Sequence, residues 1–151
     1  MGVEKRYPTG FNQYATVAPV VVDAFQIDFG ASSTSTITHK TYPAGTMLMG
    51  WGGRMAEAAE SGSAGVITFG FTGTPLLTSA LGTGVMTAGL WIAPDTTKED
   101  NVPIVLTADD TFDTLVATDS FTAGKVDVYV TYVPLPKVAL DTNEFHVYVT
   151  T

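Results

Sequence analysis

The chain has no cysteine, only seven lysines and arginines in 151 residues, and no long uninterrupted apolar run. The missing cysteine excludes disulfides, cysteine–zinc sites, thiolate nucleophiles and iron–sulfur ligation. The scattered basic residues, adjacent only at Lys5-Arg6, exclude the basic stripe that neutralises phosphates, so nucleic acid is not an expected partner. No stretch approaches the roughly 18 consecutive apolar residues of a spanning helix. The opening residues Met1 to Pro8 carry no apolar signal segment, which argues against an exported precursor and a membrane protein. Arg6 stands where a myristoylation pattern needs Ser or Thr.

Charge of either sign is also scarce. Charged residues are 15% of the chain, against about 25% in an average domain, and fifteen of the twenty-two are acidic, for a net charge of −8. A soluble domain ordinarily solvates its surface with charged side chains, so this poverty points to a surface covered by something else. The length suits one domain with a sizeable core.

What the sequence has instead is alternation. In 125–133, Val126, Val128, Val130 and Tyr132 share one face of an extended chain, and Asp127, Tyr129, Thr131 and Val133 the other. In 144–150, Phe145, Val147 and Val149 oppose His146 and Tyr148. Both segments read as strands, and further strands are expected at 20–29, 36–42, 47–51, 66–71, 85–92, 102–107 and 112–117, separated by Gly, Pro, Ser, Asp or Asn. Turn signals about every dozen residues suit an all-β, antiparallel β-sandwich or jelly-roll-like barrel. Two segments read as single helical turns: 54–60 by composition, and 75–81 with Thr74 as N-cap. Residues 1–19, with Tyr7, Phe11 and Tyr14 among Pro8, Gly10 and Pro19, are expected to form an extended arm with aromatic anchors, ahead of a single domain at 20–151.

Catalytic signatures are missing: the sequence holds no H-E-x-x-H, G-x-S-x-G, phosphate loop or dinucleotide fingerprint. His39 and His146 each lie in a strand without a second ligand at metal spacing. The acidic groups Asp95, Glu99 and Asp100, and Asp109, Asp110 and Asp113, lack the spacing of a calcium loop and read as solvated turns. No cofactor or metal is therefore expected, and no enzyme. Trp91, in the run Ala88-Gly89-Leu90-Trp91-Ile92, reads as core. Trp51, between glycines, reads as an exposed corner and a candidate for stacking on sugars.

Several of these motifs occur together in a known context. Thr41-Tyr42-Pro43-Ala44-Gly45-Thr46, the segment Met55-Ala56-Glu57-Ala58, Gly65-Val66-Ile67-Thr68-Phe69-Gly70 with the Pro75-Leu76-Leu77 turn, and above all Phe121 through Val133 resemble the β-rich head decoration (cement) proteins of tailed bacteriophages. The resemblance covers about residues 20–133 and rests on turn and strand patterns. It implies a small β-sandwich, three of which form a knob on the capsid exterior. The homotrimer would bind the major capsid protein, bridge capsomers and be made in the host bacterial cytoplasm. It brings no catalytic residues, and the arm and 137–151 lie outside it. Tyr7, Phe11, Tyr14, Trp51 and Tyr129 are the interface candidates. The alternatives are a glycan-binding module on the virion and a tail-tube or head–tail connector subunit.

Overall fold

A computed structural model describes residues 19–30, 32–74, 76–95 and 102–134. The arm with Tyr7, Phe11 and Tyr14, the strand expected at 144–150, His146, Glu99 and Asp100 lie outside these residues. The described chain is all β. Ten strands form two antiparallel sheets: β1 (Val21–Asp28), β2 (Thr36–Tyr42), β3 (Thr46–Ser61), β4 (Val66–Phe71), β5 (Leu76–Leu77), β6 (Leu81–Gly82), β7 (Trp91–Ile92), β8 (Ile104–Val105), β9 (Asp110–Ala117) and β10 (Phe121–Pro134). The first sheet runs β1-β10-β3, with β7 and β8 sharing the far edge of β3; the second runs β2-β9-β4, with β5 and β6 on the far edge of β4.

Alternation builds the interior. Val126, Val128 and Val130 of β10 are fully buried and pair in register with Met55, Gly53 and Trp51 of β3. Against them lie Phe112 and Val116 of β9 and Ile67, Phe69 and Phe71 of β4, all buried in the same cluster. Edge-to-face aromatic contacts run through the sandwich from Trp51 to Phe112, Phe71, Tyr42 and Tyr132. A second set links Phe69, Phe29 and Phe121. Such pairs add directional attraction to the burial of large rings. Gly124 at φ +144° backs directly onto the Phe29 ring, where any Cβ would collide.

The structure revises four expectations of local form. Residues 54–60 are strand, as part of the sixteen-residue β3. Their buried residues, Met55 and Ala59, are four apart, a spacing that one helix face and one strand face both allow. The backbone partners decide between them. Met55 and Ala59 donate to Leu90 O and Met86 O on one side, while Glu57 and Ser61 pair with Lys125 and Phe121 on the other. Second, 75–81 holds no helical turn among its described residues, since Leu76–Leu77 pairs with the end of β4. Third, 85–90 is a series of turns, closed by bonds such as Met86 N to Thr83 O and Leu90 N to Thr87 O. Fourth, Val133 is buried within the described chain, although it lies outside the core cluster and its neighbour Tyr132 keeps the core face through its contact with Tyr42.

Candidate interaction surface

The outer face of the first sheet is built by the residues that alternate with this core. Reading across β1, β10 and β3, the register sets Val22 beside Thr131 and Gly50, Ala24 beside Tyr129 and Gly52, Gln26 beside Asp127 and Arg54, and Asp28 beside Lys125 and Glu57. The last two rows are polar and paired. Gln26 Nε2 donates to Asp127 Oδ1 at 2.8 Å, and the Lys125 ammonium lies 2.8 Å from Glu57 and 3.9 Å from Asp28. These carboxylates hold the Lys125 ammonium above its ordinary pKa, the hydrogen bond to Glu57 first.

The other two rows are apolar. Val22 is 59% exposed, Tyr129 42% and the adjoining Val20 62%. Gly50 and Gly52 offer no side chains, and a Cβ on Gly50 would meet nothing within 4 Å. The tyrosine therefore stands beside a bare stretch of β3 backbone. Every large hydrophobic side chain exposed among the described residues belongs to the first sheet, its β1 entry or the turns along β3. That concentration gives the low-charge composition a location.

The two tryptophans exchange the places expected of them. Trp51 is buried, its indole N–H donating 2.8 Å to Leu76 O. Alternation along β3 turns it inward, and the flanking glycines belong to the strand, so Trp51 offers no platform to a sugar. Trp91 is 69% exposed. Pairing of β7 with β3 places it beside Arg54 on the outer face while Ile92 enters the core, and the guanidinium sits 5.9 Å from the indole centroid. A shallow cleft of about 330 Å³ opens next to Trp91, walled by Leu81, Val85 and Leu90 and bordered by Ser79 and Asp95. Ser79 Oγ donates to Asp95 Oδ2 at 2.7 Å.

The aspartates of β9 are not solvated turn residues as expected. Asp110 and Asp113 are 6% and 2% exposed. Asp110 accepts the backbone N–H groups of Gly73, Thr74 and Thr111. Asp113 Oδ2 accepts the hydroxyls of Thr72 and Thr111. Together they hold the turn between β4 and β5, a cross-chain role that spacing along the sequence does not reveal. Asp109 Oδ1 likewise accepts Ala44 N. His39 Nε2 lies 3.0 Å from Thr114 Oγ1, and burial lowers the imidazole pKa against the opposing pull of Asp113. Among the described residues, no three His, Cys, Asp or Glu side chains gather as a metal site would require.

No protein-family model and no curated protein matches the chain. Solved structures do. A chain of the cyanophage Pam1 capsid asymmetric unit aligns at TM-score 0.52 with 18% identity, over 78% of this chain and 86% of that one. A chain of the acidic stable capsid of Helicobacter pylori bacteriophage KHP30 aligns at TM-score 0.51 with 12% identity, over 77% of this chain and 92% of that one. At these identities the likeness is one of fold, and the fold this chain shares is one found in chains built into phage capsids.

Proposed function

We propose that this protein is a non-enzymatic structural component of a phage virion, a decoration protein that binds the major capsid protein on the head exterior as a homotrimer and cements the shell. The carrying observation is a β-sandwich shared with chains of two phage capsids, and the apolar half-face around Val22 and Tyr129 supplies the surface to be buried. Threefold association closes on itself and leaves no open contact for fibres. It also lets three modest contacts bind the lattice at high effective concentration.

The test is co-sedimentation with phage shells alongside light scattering of the free protein. Wild type is expected to be trimeric and to pellet with shells, whereas Tyr129→Asp runs smaller while retaining its β circular dichroism. A wild-type monomer at micromolar concentration would assign the apolar face to the shell alone, and a protein that never pellets with shells would end the reading. Removing residues 1–19 is expected to abolish attachment without unfolding the sandwich, which would give Tyr7, Phe11 and Tyr14 their role. Six-fold rings would favour a tail-tube or connector subunit instead.

One observation favours a second reading, glycan binding on the virion: the exposed Trp91 beside its cleft. Glycan-array binding lost in Trp91→Ala would support it.

A further inference from the structure

We infer that the outer edge of β1 is completed by the C-terminal segment 144–150 of a second copy of this chain. The inference deepens the proposed self-association and rests on it.

On one side of the sandwich, both sheets end in long strands. Among the described residues, β1 has a partner only in β10, and β2 only in β9. The two edges differ in kind. β2 carries a register shift between Thr38 and Lys40, a lysine, and exposed Thr36, Thr38 and Thr41, features that discourage another strand from pairing there. β1 pairs with β10 residue for residue over its full length. It has no lysine and no bulge, and it exposes Val22, with Val20 just ahead of it. A regular edge of eight residues, apolar at Val21, Val22, Ala24 and Phe25, invites a further strand. The interior is open here as well, because the inward-facing Val21 and Phe25 are only half-buried.

The chain carries a matching sequence. Seventeen residues, 135–151, follow the end of β10, and within them 144–150 alternates Phe145, Val147 and Val149 against His146 and Tyr148. Laid antiparallel on β1, the first set would extend the core face past Val21 and Phe25. The second would continue the outer face beside Ala24, in the row that holds Tyr129.

Connection length assigns the strand to another copy. β10 is antiparallel to β1 and ends at Pro134, next to the start of β1, where Val21 faces Tyr132. A strand antiparallel to β1 within the same chain would run parallel to β10, and such a crossover takes about a dozen residues or more. Residues 135–143 provide nine, one of them Pro136. A strand parallel to β1 would be the one parallel pair in two sheets that are antiparallel throughout their described pairings. The N-terminal residues are poorer candidates, because a hairpin back onto β1 would have to turn at Val17-Ala18-Pro19, which has none of the Gly or Asn of tight hairpins. Passing the tail from each copy to the next closes a ring.

Because the chain contains no cysteine, engineered pairs report cleanly. Directly opposed residues on antiparallel strands lie about 4.5–5.5 Å apart at Cα, within disulfide reach. The full-length double variants Ala24→Cys/Tyr148→Cys and Ala24→Cys/His146→Cys sample two registers. Under mild oxidation at micromolar concentration, at least one pair is expected to yield covalent dimers and trimers on non-reducing gels that collapse on reduction. A bond formed within the monomer would overturn the exchange. A protein that is trimeric by light scattering yet never cross-linked by either pair would overturn the exchange and leave the trimer standing; a monomeric wild type would overturn both.

Discussion

The two sides of the sandwich are built differently. On the β5–β8 side, four two-residue strands and the turns between them are fastened to β3 and β4 by individual bonds. Gly45 donates to Leu106 O, Leu106 to Thr46 O, Asp95 to Leu77 O and Thr78 to Phe69 O, while the Trp51 indole reaches across to Leu76 O. On the β1 and β2 side, two long strands end the sheets, linked mainly through Asp23, which accepts the Tyr42 hydroxyl and pairs with Lys40. Burial and the neighbouring Asp23 carboxylate raise the Tyr42 phenol pKa well beyond its ordinary value. The first side therefore ties short strands down within the described chain while still exposing Val85, Trp91 and Val105, and the second ends in the long edges of β1 and β2, with Val20 and Val22 exposed at β1. Residues that tie the first side are therefore expected to matter most for folding, and the regular edge of the second for association.

Substitutions on the two sides should separate accordingly. Trp51→Ala should have the largest effect, a loss of about 4 kcal/mol in urea unfolding, from the cavity and from the Leu76 carbonyl left without its donor; a loss below about 1 kcal/mol would mean that the cross-sheet tie does not hold the closed side. Asp110→Ala should cost about 2 kcal/mol, since the backbone N–H groups of Gly73 and Thr74 at the β4–β5 turn, and that of Thr111, lose a carboxylate acceptor. Val22→Lys on the open side should change unfolding by no more than about 0.5 kcal/mol while reducing self-association in light scattering. An equal effect on both would remove the distinction between the sides.

The smallest expected effect is that of pH. Because burial lowers the folded-state pKa of His39 below the usual 6.5, the unfolded chain binds its proton first as the solution is acidified. Stability contributed by His39 is therefore complete above about pH 7, falls as pH drops below 6.5, and stops falling beneath the folded pKa. His39→Gln should flatten the melting temperature between pH 7.5 and 5.5, and an unchanged slope would assign the dependence to other groups.

Strand positions set by strict alternation were legible. β2 and β4 occupy the expected residues 36–42 and 66–71, and the valine face of β10 is buried as its period predicts. Where two structures satisfy one pattern, the pattern was silent. The four-residue spacing of Met55 and Ala59 fits helix and strand alike, and only the partners on both sides of β3 select the strand. The tryptophans misled for a related reason. An apolar neighbourhood suggested burial for Trp91 and flanking glycines suggested exposure for Trp51, yet the parity of each residue in its strand decides which sheet face it takes. The Asp110 and Asp113 contacts join β9 to residues more than thirty-five positions earlier, beyond the reach of any local signal.

By itself the sequence determined the chemistry available and the local geometry: a cysteine-free, charge-poor chain with alternating β-branched and aromatic residues can bury one face of many short strands, and it has little else with which to stabilise a fold. Only the tertiary structure decided which strands lie side by side, and hence that most of the large exposed apolar residues among those described gather on one sheet while its edge β1 stays regular and that of the other, β2, is polar and bulged. Alternation is a property of a strand and its two faces, whereas an edge or a patch is a property of neighbours brought together from distant parts of the chain.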